Sequence, residues 1–199
     1  MTRSHLIIAG FALLSVSSLA NIGLSRKVIS LESTIQYLKN EHRLQINASV
    51  PPLVGKGLDG KPATLVYNDT RLPTMLYVFS PSCVWCARNR ANFDAVRNAA
   101  AGRYRIVGVS TVKAGLSDYV AKEHLSFPVL TDISAESNSK YMFGGTPQTI
   151  IISPAGRVLH TWIGAYNGTL RDDIEKLMAI RLPGLLDLPH PPVAPAKRS

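Results

Sequence analysis

The sequence predicts an α/β fold, a central mixed sheet with helices on both faces, and three observations carry that prediction. Apolar runs of strand length alternate with helix-periodic segments across residues 50–182, and a hairpin with a closing helix follows them. The chain's only two cysteines, Cys83 and Cys86, stand at a junction between one such strand and one such helix. Tight-turn dipeptides punctuate the pattern where strands must reverse.

Taken in chain order, Asp59-Gly60 between Leu53-Val54 and Thr64-Leu65-Val66-Tyr67 marks a hairpin turn. The apolar run Met75-Leu76-Tyr77-Val78-Phe79 is a strand, and the stretch from Ala87 to Ala101, carrying Phe93 and Val96, is a helix. Arg105 to Ser110 is a buried strand, Ser117 to His124 a short helix, and Phe127 to Leu130 a brief extended piece. Gln148 to Ile152 is a strand that Pro154-Ala155-Gly156 turns into a second one, Arg157 to Ile163. Thr169 is expected to cap a last helix whose buried face holds Ile174, Leu177 and Met178.

Four segments follow from this pattern. Residues 1–27 form a targeting or anchoring segment: Leu6 to Ser25 carries no charge and is bracketed by Arg3 and Arg26-Lys27. At helical rise its twenty residues span about 30 Å, the thickness of a bilayer's hydrocarbon core. Ser18-Leu19-Ala20 resembles a signal-peptide cleavage site, which leaves a secreted or periplasmic product as the alternative. Residues 28–49 continue with Val28, Leu31, Ile35 and Leu38 at helical steps, and this favours a permanent single-pass anchor in the cytoplasmic (inner) membrane extended by a stalk. Residues 50–182 form the globular domain. Residues 183–199 hold five of the chain's thirteen prolines and are expected to be a flexible tail. Arg26, Lys27 and Lys39 follow the apolar segment whereas only Arg3 precedes it, a bias that points the domain toward the cytoplasm. Long domains translocate largely regardless of such charges, so an extracytoplasmic domain remains the expectation.

Composition removes other classes. Apolar residues at 46% with 18% charged allow a real core. The net charge is 22 − 13 = +9, but the basic residues are dispersed and no recognition motif accompanies them, which argues against nucleic acid. Attraction to anionic lipid or an acidic partner is the milder inference.

Cys83-Val84-Trp85-Cys86 carries the chemistry. A helix start stabilises a thiolate, which is the attacking species in disulfide exchange, and a thiol three residues on can resolve a mixed disulfide. A c-type haem site needs His after the second cysteine, where Ala87 stands. Structural zinc needs four ligands, and no second Cys or His pair occurs at zinc spacing. Copper held by the two thiols with a distant His124 or His160 stays open as a non-enzymatic alternative. So does an inert structural disulfide, although the Pro81-Ser82 turn before the pair favours exposure.

The order of elements, with Phe79-Ser80-Pro81-Ser82 leading into Cys83-Val84-Trp85-Cys86, resembles the thioredoxin fold. The hairpin around Gly57-Leu58-Asp59-Gly60-Lys61 and the N-terminal apolar segment resemble the membrane-tethered TlpA/ResA-type group. Gly144-Gly145-Thr146-Pro147-Gln148-Thr149 ahead of the Ile-rich strand adds to the likeness. The resemblance implies a cis Pro147 against the active disulfide and a Thr146 backbone that pairs with an incoming peptide. It implies Cys83 as nucleophile, Cys86 as resolving thiol, protein thiols or disulfides as substrates, and no cofactor beyond the cysteine pair. Trp85 is expected either in a docking surface or packed over the disulfide. Two departures stand out: Tyr77 occupies the place of a buried acid six residues before the first cysteine, and Asn89 the place of a Glu three residues after the second. Arg88 and Arg90 are candidates for lowering the thiol pKa. With no third cysteine, recharging needs another protein, such as an integral-membrane thiol reductase. A peroxiredoxin-like peroxidase is a further alternative, but it wants Pro and Thr at set distances before its cysteine, and Leu76 does not match.

Overall fold

The computed structural model describes residues 21–32 and 43–187, which fall into two units divided at Arg43 and Leu44. In the first unit, residues 21–32 are helical (α1) and exposed along their length. Leu6 to Ala20 and the stalk positions Ile35 and Leu38 lie outside the described residues. Among the described residues no helix is long and apolar enough to cross a membrane.

The second unit is built on one seven-stranded mixed sheet in the order β2-β1-β5-β4-β3-β6-β7. Its strands are β1 (Leu53–Gly57), β2 (Pro62–Leu65), β3 (Thr74–Phe79), β4 (Arg105–Ser110), β5 (Val129–Thr131), β6 (Gln148–Ile152) and β7 (Val158–Ile163). The helices are α2 (Val84–Arg88), α3 (Arg90–Ala100), α4 (Leu116–Lys122), α5 (Ala135–Tyr141) and α6 (Gly168–Met178). β3 runs parallel to β4, and β4 to β5, while β3–β6, β6–β7, β1–β2 and β1–β5 are antiparallel.

β3 is buried at all six positions because it lies in mid-sheet with helices over both faces. Side chains alternate across a strand, so Met75, Tyr77 and Phe79 join one core with Phe93, Val96, Ile174 and Met178 from α3 and α6. Leu76 and Val78 join the other, with Val107, Val109, Ile150, Ile152 and Tyr141 of α5. In the second core the Tyr67 and Tyr141 hydroxyls meet at 2.5 Å, and Tyr141 donates to the Pro51 carbonyl. Gly108 in β4 marks a close approach: a Cβ there would meet Phe127 at 3.0 Å and Phe79 and Val129 at 3.1 Å.

The predicted hairpin turn holds. Gly57 N–H donates to the Lys61 carbonyl at 2.9 Å, and Gly60 adopts φ +78, where glycine is favoured. Other elements differ from expectation. The helix predicted over Ala87 to Ala101 begins three residues earlier and is interrupted at Asn89, giving α2 and α3. Asn167, not Thr169, stands at the N-cap of α6, and Thr169 lies within its first turn. α5, which no strong apolar period announces, has Ser134 accepting from Ser137 N–H at its start.

Both expected domain boundaries, at residues 50 and 182, fall inside packed structure. Leu44 is buried, Asn47 N–H donates to the Val158 carbonyl at 2.8 Å, and Val50 N–H to the Gly156 carbonyl at 2.8 Å. At the other end Glu175 accepts Leu182 N–H at 2.8 Å, Asn92 Oδ1 accepts Gly184 N–H at 2.7 Å, and Leu186 N–H donates to the Arg88 carbonyl at 2.8 Å. Residues 182–187 are therefore tied to the domain by acceptors on three helices. Proline content alone does not show such partners.

Glu175 generates a pH prediction. Leu182 N–H, then Arg171, hold its carboxyl at about 2 against an ordinary 4.5, with Arg181 adding to the effect. The folded pKa lies below the unfolded one, so this stabilisation is complete above about 4.5 and is lost as pH falls toward about 2. Wild type should exceed Glu175→Gln in urea midpoint at pH 7, and the gap should close across that window. Gly108→Ala should cost about 1–3 kcal/mol in urea unfolding, because three packed side chains must give way.

Candidate active site

Cys83 terminates the turn that leaves β3 and caps α2 in an extended conformation, with φ −78 and ψ 106. Its N–H donates to the Ser80 carbonyl and its carbonyl accepts Ala87 N–H, each at 3.1 Å, so both sides of the residue are fixed. Cys83 and Cys86 are joined in a disulfide, with Cα atoms 5.2 Å apart. Cys86 N–H donates to Cys83 Sγ at 3.0 Å, so a backbone dipole points at that sulfur. Cys83 is half-buried whereas Cys86 is only 1% exposed. That asymmetry separates an accessible sulfur from a shielded one.

The opposing wall is the loop before β6. The Thr146–Pro147 peptide is cis, and the Thr146 carbonyl oxygen lies 3.4 Å from Cys83 Sγ. The Pro147 carbonyl accepts Gly164 N–H at 2.8 Å, which ties this loop to the end of β7. Trp85 is 49% exposed and, with Thr146, lines a cleft of about 230 Å³ that Ile163, Gly164, Asn167 and Leu170 complete. Of the two positions expected for Trp85, the structure places it at the rim of this cleft.

Beneath the disulfide the packing is apolar and aromatic. Cys86 belongs to the core cluster that contains Tyr77, Phe79 and Phe93, and the Tyr77 and Phe93 rings stack with centroids 3.6 Å apart. Tyr77 and Asn89, the two departures from the resemblance, are both buried. Burial pushes the Tyr77 phenol well above its ordinary range; Tyr166 and Tyr119 add to this, while the Asn89 side chain opposes it. Asn89 Oδ1 accepts Tyr166 N–H at 2.9 Å and Asn92 Nδ2–H at 3.2 Å. These contacts explain why the helix breaks at Asn89: its side chain stitches the junction to the loop before α6. Neither position offers a carboxylate to take the Cys86 proton.

The candidate charges are placed elsewhere. Arg90 is held by Asp94 at 2.9 Å and Glu123 at 3.0 Å. Arg88 stands over Trp85 and pairs with Leu186 and Asp187. His124 is exposed at the end of α4, and His160 stacks on Trp162 with its pKa lowered by burial. Among the described residues no group of three or more His, Cys, Asp or Glu side chains could hold a metal ion. Sequence reasoning missed Asn92, Tyr166 and the segment 183–187. Tyr166 and Asn92 carry no motif, so no signal in the chain pointed to them.

The thioredoxin domain of a thiol-disulfide oxidoreductase from Bacteroides vulgatus superposes with a TM-score of 0.54 at 19% identity, covering 68% of this chain and 99% of that one. A thiol:disulfide interchange protein from a Bacteroides species matches at 0.52 and 19%, covering 68% and 91%. A peroxidoxin from Mycobacterium tuberculosis matches at 0.53 and 18%, covering 70% and 99%. No family model and no curated protein matches the sequence. The class these comparisons and the sheet define is a thioredoxin-like fold. At such identities the likeness extends to the fold alone, and the chemistry rests on the cysteines themselves.

The exposure difference yields a direct test. In the reduced protein, iodoacetamide should modify Cys83 at least about tenfold faster than Cys86, since thiolate character and access both favour it. Peptide mapping of timed samples reads the ratio, and denaturant should abolish it.

Proposed function

We propose that this chain is a thiol–disulfide oxidoreductase, tethered by its N-terminal segment and acting on protein disulfides outside the cytoplasm. The observation that carries the reading is the Cys83–Cys86 disulfide, with its outer sulfur beside Thr146 and its inner sulfur in the core.

In the reductive direction the Cys83 thiolate attacks one sulfur of a client disulfide. The client S–S bond breaks, a mixed disulfide forms, and the departing client sulfur leaves as a thiolate that takes a proton from water. Cys86 then loses its proton and attacks Cys83 Sγ. The mixed disulfide breaks, the Cys83–Cys86 bond forms, and the second client thiol is released. Two electrons pass to the client. The reverse sequence oxidises a dithiol. With neutral Tyr77 and Asn89 at the buried side, water is the acceptor of the Cys86 proton.

The Thr146 backbone and Trp85 are the proposed client contacts. An extended peptide pairing with Thr146 would lay its side chains in the cleft under Trp85. The charge-free stretch Leu6 to Ser25 supports a membrane anchor, and the likeness to the TlpA/ResA-type group supports an extracytoplasmic domain. An integral-membrane thiol reductase is the proposed electron donor, because the chain has no third cysteine to relay electrons.

Reduction of insulin by dithiothreitol should accelerate with wild type and fall to the uncatalysed rate with Cys83→Ser or Cys86→Ser. Cys86→Ser should trap clients as mixed disulfides through Cys83, visible as reductant-sensitive bands in non-reducing gels. An active wild type whose Cys86→Ser variant traps nothing, or brisk peroxide consumption with no insulin reduction, would overturn the reading.

A further inference from the structure

Arg88 is the only charged residue of the active-site helix α2, and it faces both the docking tryptophan and the chain's C-terminal segment. Its guanidinium lies 5.0 Å from the centroid of the Trp85 ring, one turn back on the same helix. The same group donates through Nε to the Leu186 carbonyl at 3.2 Å and reaches the Asp187 carboxylate at 3.8 Å. In return, Leu186 N–H donates to the Arg88 carbonyl at 2.8 Å. Arg88 and Leu186 thus exchange two hydrogen bonds across 98 residues of sequence. The interruption at Asn89 explains why: carbonyls in the last turn of a helix need partners from outside it, and Leu186 supplies one.

The pairing is the last of a series. Leu182 N–H is held by Glu175, and Gly184 N–H by Asn92 Oδ1. Asn92 Nδ2 in turn donates to Asn89 Oδ1 and, at 3.3 Å, to the Tyr166 carbonyl. The segment Leu182–Asp187 therefore crosses from α6 over α3 to α2 and ends at the residue that supports Trp85. None of these hydrogen bonds is made to either sulfur.

We propose that Arg88 is a positioning residue that couples the strap Gly184–Asp187 to Trp85, so that the strap sets the shape of the client cleft without altering chemistry at the sulfurs. The inference rests on the proposed function only in treating Trp85 as a client contact. Its signature is selective. Clients that fill the cleft feel the strap, whereas a small disulfide that reaches only Cys83 does not.

The test uses the full-length chain in a Trp162→Phe background, where emission reports Trp85. Leu186→Pro removes the N–H that bonds Arg88 while leaving Trp85 and Arg88 in place, and Arg88→Ala removes the link itself. Both should raise KM for insulin about three- to tenfold, with kcat and the rate toward neutral 2,2′-dithiodipyridine within about twofold, since one cation–π contact and one or two hydrogen bonds are at stake. Both should also shift the Trp85 emission. If Arg88→Ala fails to fold, Arg88→Lys keeps the charge and stem but loses the fork to Leu186 and Asp187, and should give the same KM shift. Unchanged KM and emission in Leu186→Pro would overturn the coupling, as would equal losses on insulin and on the small disulfide. A wild type inactive on insulin would count against the oxidoreductase reading instead, and the emission shift would then decide the coupling by itself.

Discussion

The antiparallel register between β3 and β6 is the constraint on which the rest of the site depends. Val78 faces Gln148 across that pair, so the end of one strand lies beside the beginning of the other. The chain leaving β3 must therefore turn next to the chain entering β6. Cys83 follows within a few residues on one side, and Thr146 and Pro147 immediately precede Gln148 on the other. The 3.4 Å approach of Cys83 Sγ to the Thr146 carbonyl is a consequence of this pairing. A slip of one residue would turn every β3 side chain to the opposite face, placing Tyr77 in the second core and Val78 under Cys86. Burial of all six β3 residues makes such a slip costly.

A second constraint acts through Asn89. Its side-chain oxygen takes hydrogen bonds from Tyr166 and Asn92, and the helix breaks where that side chain turns inward. The break leaves α2 as a short carrier for the dithiol, separate from the longer α3 that packs on the sheet. It also exposes the Arg88 carbonyl to Leu186. The same buried amide thus shapes the floor of the redox site and provides the attachment for the segment beyond α6.

The elements that could be read along the chain are those whose stability is local or periodic. The β1–β2 turn follows from Asp59-Gly60, because glycine alone accepts φ +78 cheaply. β3, β4 and β6 follow from uninterrupted apolar runs, and the spacing in Cys83-Val84-Trp85-Cys86 places two thiols at the start of a helix. α5 escaped because Ser137, Asn138 and Ser139 weaken any apolar period, and the helix is held instead by Ser134 capping and Tyr141 burial. The domain's edges escaped for a related reason. Asn47 and Gly184 are bound by partners more than ninety residues away in sequence, and no local composition announces a partner at that distance.

The division between sequence and tertiary structure follows from the range of the forces involved. Which residues carry the thiols, which run is the central strand and where the hairpin turns are properties of neighbouring residues, so the sequence by itself determined them. That Asp94 and Glu123 hold Arg90, and that residues 183–187 return to Arg88, were decided only by the folded chain. Those outcomes depend on burial and on hydrogen-bond partners that become neighbours only when the sheet has assembled.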